Sequence, residues 1–165
     1  MLVLGVDPGT AITGYGLVRE EEAGLTLVHY GVITTAAGLP LPERLQAIYR
    51  GLAAVAREHQ PGQAAVEELF FSRNARTALS VGHARGVVLL ALADAGIPIH
   101  EYKPLEIKQA VTGYGSAGKQ QVQEMVRLLL DLDHVPQPDD AADAVAVAVC
   151  HIHSARMAAL IEDAR

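Results

Sequence analysis

Three strand-like segments follow one another at the start of the chain, before any helical pattern appears. Leu2 to Asp7 is a short apolar run that ends at the turn residues Pro8 and Gly9, as a buried strand does. Segments 14–20 and 25–33 alternate apolar and polar residues and are separated by a short acidic turn. The sequence therefore predicts a meander of three strands.

Helical and strand-like segments alternate in the rest of the chain. The predicted elements are, in order, a helix over 43–59, a strand over 63–67, a helix over 74–95, a strand over 97–102, and helices over 105–111, 118–132 and 139–158. A meander followed by alternating elements predicts an α/β fold with a five-stranded mixed sheet and helices on both faces. At 165 residues, we expect a single domain over 1–165, with the last few residues as a flexible tail.

Composition argues against a membrane or exported protein. The longest uninterrupted apolar runs have seven residues, whereas a transmembrane helix needs about 20. The chain lacks a charged and then apolar leader with a cleavage site. Its one cysteine, Cys150, cannot form an internal disulfide. We therefore expect a cytoplasmic protein.

The charge of the chain is unevenly distributed. A net charge of −6 argues against a nucleic-acid partner. Residues 72–120, however, hold six basic and three acidic side chains, whereas 1–71 and 121–165 are both acidic. The middle third could therefore form a positive face for DNA, although ordinary solvated charge explains the pattern equally well.

Residues 113–119 have the glycine and lysine spacing of a nucleotide-binding P-loop. In a P-loop the lysine is followed by Ser or Thr, which holds Mg²⁺, but here Gln120 follows. A P-loop also connects a strand to a helix, whereas 105–111 has the pattern of a short amphipathic helix. The sequence argues against such an ATPase or GTPase and leaves Lys119 available for another kind of phosphate.

Acidic residues occur where two predicted strands end and where the last helix begins. Asp7 ends the first strand, and Glu67 and Glu68 end the fourth; open α/β sheets place their chemistry at such ends. The segment DDAAD over 139–143 puts two acids on one helical face. Each feature also has an ordinary structural explanation, such as turn formation or helix capping.

Asp143 is harder to explain structurally, because its face continues into Ala and Val and an unpaired acid there is costly to desolvate. The sequence holds no lysine or arginine between Arg127 and Arg156. Carboxylates from several elements suit Mg²⁺ or Mn²⁺. Two such ions, about 4 Å apart, can drive an in-line attack on phosphorus and cancel the charge that would repel DNA.

The predicted helix over 74–95 also suggests a partner subunit. Its second half is apolar on every side, and Gly82 and Gly86 lie one turn apart. Paired glycines destabilise a helix unless something packs closely on them. We therefore expect a homodimer.

The ordered set of motifs resembles the RuvC family of bacterial Holliday junction resolvases over almost the whole chain. The matching segments are VDPGT at 6–10, TGYG at 13–16, VE at 66–67 with Phe70 and Asn74, GHARG at 82–86, GSA at 115–117 with Lys119, QVQ at 121–123, MVR at 125–127 and DAADA at 140–144.

The resemblance implies a ribonuclease H-like fold and a homodimer that cuts two opposed strands of a four-way DNA junction, in homologous recombination and DNA repair. It implies two Mg²⁺ ions per active site, with Mn²⁺ able to substitute, products with 5′-phosphate and 3′-hydroxyl ends, and a branch-migration helicase complex as partner.

The resemblance also assigns roles to individual residues. The metal-binding and catalytic acids fall on Asp7, Glu67, Asp140 and Asp143, and the register of the last motif selects Asp140 over Asp139. Asp139 is then expected to cap the helix and Glu68 to support the site or face solvent. Lys119 is expected to act in catalysis and, with Lys108, to lie near the scissile phosphate; Phe70 is expected to be a wedge that stacks on bases, although a core role is the alternative. The expected DNA-binding residues are Phe70, Arg73, Arg76, Lys108 and Lys119.

Two other functions compete with this interpretation. The segment DPGT after a first strand also resembles the phosphate loop of actin-like ATPases and sugar kinases, but those enzymes need two such domains and a cleft. An architectural protein that binds junctions without cutting them is the second alternative. Four acids at the site argue against it, because they would weaken passive DNA binding.

Overall fold

The computed structural model describes residues 1–68 and 75–164, apart from the side chains of residues 75–77. Its elements are β1 (Leu2–Asp7), β2 (Ile12–Glu21), β3 (Gly24–Thr34), α1 (Leu41–His59), β4 (Gln63–Glu67), α2 (Ala75–Asp94), β5 (Ile99–Tyr102), α3 (Pro104–Thr112), α4 (Lys119–Leu129) and α5 (Asp139–Asp163).

The strands form one sheet in the order β3-β2-β1-β4-β5. The predicted meander is present, since β1 pairs with β2 and β2 with β3, both antiparallel. β4 lies parallel to β1 and to β5. The expected five-stranded mixed sheet is confirmed. Because β1 and β4 run in the same direction with Val6 opposite Val66, Asp7 and Glu67 lie side by side at their carboxyl ends.

Helices cover both faces of the sheet, as predicted. α1 and α2 pack on one face, with a core of fully buried side chains from sheet and helices: Leu4, Val6, Leu17, Ile48, Leu52, Val88 and Leu92. α3, α4 and α5 pack on the other face, around Val3, Val18, Val126, Val145 and Val149. Burying each of these side chains contributes about 1.5–3 kcal/mol, so the two cores hold the sheet between fixed layers.

Small residues let α5 lie unusually close to the sheet. A Cβ atom on Gly14 would collide with the Asp140 carbonyl oxygen, and one on Gly5 would collide with the Ala144 carbonyl oxygen. A Cβ atom on Gly16 would likewise collide with Val145. The glycines of β1 and β2 therefore bring the acidic start of α5 down onto the end of β1.

α5 is apolar enough and long enough to cross a membrane if length and composition alone are considered. In this structure, residues 144–150 are all buried, and the helix packs against β1 and β2. Half of its most apolar window is buried in the protein. This position accounts for its composition as that of a core helix.

Candidate active site

Four carboxylates from β1, β4 and α5 meet at one end of the sheet. The side chains of Asp7 and Glu67 share a hydrogen bond, and the charges of Asp143 and Asp140 act on Asp7 as well. The pKa of Asp7 is raised to about 8, first by burial, then by the charge of Glu67 and the shared hydrogen bond, and then by the two aspartates. The structure thus brings together the four acids that the sequence analysis selected.

A shared proton holds Asp7 and Glu67 together in the metal-free protein. Two ionised carboxylates cannot hydrogen-bond to each other. One of the two must therefore carry a proton, and the pKa of Asp7 is the more strongly raised of the two. Burial nevertheless raises the pKa of Glu67 above its ordinary value, while the charges of Lys108 and Lys119 oppose that effect.

Both predicted lysines lie beside the acids. Lys119 begins α4 and places its Nζ 3.0 Å from Asp143 Oδ2 and 3.3 Å from Asp139 Oδ2. Burial would lower the pKa of Lys119, but its hydrogen bonds to Asp143 and Asp139 raise it overall. Lys108 and Lys119 line a depression of about 180 Å³ with Glu67 and Asp143. We call it the lysine pocket.

Asp139 has a different role from the expected helix cap. The N-cap of α5 is Pro138, which makes no side-chain capping bond, and Asp139 is the first residue of the helix. Its carboxylate instead accepts a hydrogen bond from Lys119, and this bond is the main reason that its pKa is lowered. The expectation of a cap was wrong because Pro138 occupies the N-cap position and Asp139 lies inside the helix.

The donor set fits a hard divalent cation, although the cage is not preassembled. Within the described residues, no three His, Cys, Asp or Glu side chains are arranged as a metal-binding cluster. Asp7 and Glu67 are held together by their proton, and Asp143 is paired with Lys119. Buried carboxyl oxygens that repel one another are the ligands that Mg²⁺ or Mn²⁺ would stabilise.

The glycine-rich segment over 113–118 connects two helices. It follows α3 and precedes α4, so the strand that a P-loop requires is missing at this point. Gly113 ends α3 in the left-handed conformation at φ 80°, and the Gly118 N–H donates to Gln121 Oε1 at 2.8 Å. The segment therefore serves to turn the chain so that Lys119 faces the acids.

Three of the expected DNA-binding residues cannot be placed. Phe70 and Arg73 lie outside the described residues, and Arg76 lies in α2 at a position whose side chain is not described. The wedge at Phe70 and the two arginine contacts stay predictions. Lys108 and Lys119 are the two members of that set whose side chains are placed, and both lie at the acids.

A hydrogen-bond network behind Asp7 was missed by the sequence analysis. Thr10 Oγ1 donates to the Ser80 carbonyl at 2.6 Å, Thr35 Oγ1 donates to the Thr10 carbonyl at 2.5 Å, and Arg44 Nε donates to Thr35 Oγ1 at 2.8 Å. These residues come from three separate parts of the chain, near positions 10, 35–44 and 80, so no local spacing signals the network. It fixes the loop that follows Asp7.

Comparison with known proteins agrees with this geometry. A family model described as "Crossover junction endodeoxyribonuclease RuvC" matches residues 3–151. Proteins of that name from Chloroflexus aurantiacus and Desulfitobacterium hafniense are 59% and 57% identical over 155 and 157 residues, which is 94% and 95% of each chain.

Solved structures give the same result. T. thermophilus RuvC in complex with a Holliday junction substrate is 40% identical, with a TM-score of 0.90 over 96% of both chains. The yeast mitochondrial Holliday junction resolvase Ydc2 is only 11% identical, with a TM-score of 0.68 over 92% of this chain and 77% of its own, and shares the fold. A match along nearly the whole chain and relatives that share more than half of its residues establish that this protein belongs to the RuvC family.

Proposed function

We propose that this protein is a crossover junction endodeoxyribonuclease that resolves four-way DNA junctions in recombination and repair. It hydrolyses phosphodiester bonds in two opposed strands and leaves 5′-phosphate and 3′-hydroxyl ends. The observation that carries this proposal is the meeting of Asp7, Glu67, Asp140 and Asp143 beside two lysines, in a chain that superimposes along 96% of its length on a RuvC bound to a junction.

The four acids are the ligands that would hold two Mg²⁺ ions, with Mn²⁺ as a substitute. Bound there, divalent ions supply an activated water and stabilise the leaving oxygen. The strands orient Asp7 and Glu67, and α5 presents Asp140 and Asp143 one turn apart. Asp7 must give up its proton before it can act as a ligand, because only the carboxylate coordinates a cation.

Lys119 would exchange one anionic partner for another. In the free protein it neutralises Asp143. Once Asp143 becomes a ligand, the ammonium group is available for a phosphate oxygen, where it stabilises the charge that develops during hydrolysis. Lys108 lies on the same depression and contributes to the same field. This arrangement supports roles for Lys119 in catalysis and for both lysines in DNA binding.

Cutting two strands requires two sites, and the exposed face of α2 supports a homodimer. Leu79 and Leu90 are 64% and 54% exposed, and the space above Gly82 and Gly86 is open. We call these four residues the α2 face. Glycines with nothing packed on them are expected where a partner helix approaches closely.

The proposal includes this dimer, a single nuclease domain over 1–165 in the cytoplasm, a branch-migration helicase complex as partner, and DNA contacts from Phe70, Arg73 and Arg76.

The direct test compares synthetic four-way junctions with plain duplex, with and without Mg²⁺. We expect paired cuts in the junction only when Mg²⁺ is present, and an Asp7→Asn variant that binds junctions but does not cut them. Cleavage by that variant at the normal rate would contradict the assignment of the acids. ATP hydrolysis without cleavage would instead support the actin-like alternative, and binding without cleavage by the unaltered protein would support the architectural one.

A further inference from the structure

A second depression lies beside the acids, separate from the lysine pocket. It has a volume of about 440 Å³ and is lined by the loop over 9–12, by Arg44, Ser80 and Val81, and by Asp140. We call it the Arg44 groove. Its loop begins two residues after Asp7, and Asp140 and Asp143 stand one turn apart on α5. Asp143 thus lines the lysine pocket and Asp140 lines the Arg44 groove.

Arg44 is anchored in this groove at one end of its guanidinium group. It is half-buried, and its Nε donates to Thr35 Oγ1 at 2.8 Å. Among the side chains that the structure describes, no carboxylate lies within 4.0 Å of it. A guanidinium has five N–H donors in a planar fork, and no described residue accepts a hydrogen bond from the four on its terminal nitrogens. A partly desolvated cation without an anionic partner is expected to bind one.

The surrounding hydroxyl groups hold the loop in place. Thr35 donates to the Thr10 carbonyl, and Thr10 donates to the Ser80 carbonyl. Because these side chains are already hydrogen-bonded within the protein, the loop and the guanidinium stay fixed when a ligand arrives. This is the preorganisation that a binding subsite needs.

We propose that Arg44 binds a DNA backbone phosphate adjacent to the phosphate that is cut, with the Arg44 groove as its subsite. This inference rests on the proposed nuclease function. A DNA strand that crosses the acids presents phosphates on both sides of the cut bond, and the lysine pocket provides cations on one side. The chain carries a net charge of −6, so a second cation is needed where Asp140 would repel the strand. A planar arginine fork suits phosphate oxygens.

The first test separates phosphate binding from loop positioning by the salt dependence of affinity. Junction binding is measured in 50–300 mM salt without Mg²⁺, for the unaltered protein, Arg44→Gln, Arg44→Lys and Thr35→Val. Log K falls as log salt rises, and loss of one phosphate contact makes this fall less steep by about 1 unit of slope. The same loss lowers the affinity by about 10-fold at 0.1 M salt. We expect both changes in Arg44→Gln, once for each subunit that contacts the DNA. Arg44→Lys and Thr35→Val should keep the slope of the unaltered protein.

An unchanged slope in a folded Arg44→Gln protein would overturn the proposal. Equal losses in Arg44→Gln and Thr35→Val would do the same, because both would then act only by loosening the loop. Thermal unfolding of each variant establishes that it is folded. If the unaltered protein neither binds nor cuts junctions, the nuclease function fails, which is a different result.

The second test locates the phosphate. Junctions with a single neutral methylphosphonate are prepared for each position within two nucleotides of the cut. One flanking position should weaken binding by the unaltered protein about 10-fold and leave Arg44→Gln unaffected, because the contact is already lost. If every position affects the two proteins equally, Arg44 does not touch the backbone there.

Discussion

At the scale of single residues, Asp7 lowers the stability of the metal-free protein, although its carboxylate is needed for the proposed activity. Its pKa of about 8 shows that burial and three neighbouring acids disfavour its ionised form. Asparagine keeps the shape and can still donate a hydrogen bond to Glu67. In metal-free protein at pH 7, we expect Asp7→Asn to raise the free energy of unfolding by about 1–3 kcal/mol, as measured by urea unfolding in EDTA.

Asp139→Asn is the matched control for that measurement. Asp139 is exposed and paired with Lys119, so its replacement removes a favourable contact. Its repulsion of Asp143 is a smaller effect than burial of Asp143 and the Lys119 bond. We expect no gain in stability from it and continued cleavage. If Asp7→Asn is instead less stable than the unaltered protein, the carboxylates do not repel one another as the structure indicates.

His151 provides a prediction on the pH dependence of stability. It is 2% exposed, accepts a hydrogen bond from the Tyr102 hydroxyl at Nδ1 and faces Gln63 Oε1 at Nε2. Burial, with a smaller effect of the neighbouring His100, lowers its pKa from 6.5 to about 4. Between these values the unfolded chain binds more protons than the folded one, so stability falls as the pH falls from 6.5 to 4.

His151→Gln should remove this part of the acid sensitivity. After allowance for screening, we expect the difference in unfolding free energy between pH 7 and pH 4.5 to shrink by about 1–2 kcal/mol in the variant. Urea unfolding of both proteins at the two pH values measures it. An identical pH dependence would show that His151 keeps its ordinary pKa in the folded protein.

At the scale of elements, the glycines of β1 and β2 determine where α5 places its acids. A Cβ on Gly14 meets the backbone of Asp140, which cannot rotate away. We expect Gly14→Ala to destabilise the protein by about 1–3 kcal/mol and to lower cleavage about 100-fold, because small displacements of catalytic groups reduce rates by that order. Gly62→Ala is the control, since its Cβ would make only ordinary contact. Equal activity of the two variants would show that α5 tolerates displacement.

This close packing also marks what the sequence could and could not predict. Periodicity locates β1 and β4 with the observed bounds, because buried strands next to turn residues leave a strong local signal. The ends of other elements were predicted less accurately. β5 begins at Ile99 and not at residue 97, and α5 continues to Asp163, beyond the expected end near residue 158.

The candidate site also has parts that local sequence predicts and parts that it does not. The acids could be selected because their motifs are local and ordered. The contact of Gly14 with Asp140 and the network from Arg44 to Thr35, by contrast, join residues with no common pattern. The same applies to Asp139, whose partner Lys119 lies on another helix. Such contacts depend on how layers pack, which no single segment encodes.

At the scale of the whole molecule, paired cutting depends on two sites held at a fixed separation. In the proposed dimer each protomer would supply one set of acids, so a monomer is expected to nick a junction and not to resolve it. The α2 face lies on α2, which packs on the sheet face opposite α5. A dimer formed there would therefore leave the acidic end of each α5 uncovered by the interface.

Leu90→Glu tests this arrangement, and Leu128→Glu is its control. The two leucines are equally exposed, at 54% and 55%, but Leu128 lies on α4, away from the α2 face. A glutamate in a closely packed helix interface would be buried without a partner, which costs several kcal/mol. We expect Leu90→Glu to sediment as a monomer at micromolar concentration and to convert a supercoiled cruciform plasmid to the nicked form. Leu128→Glu should remain a dimer and give the linear product. If both variants linearise the plasmid equally well, the subunits associate through another surface.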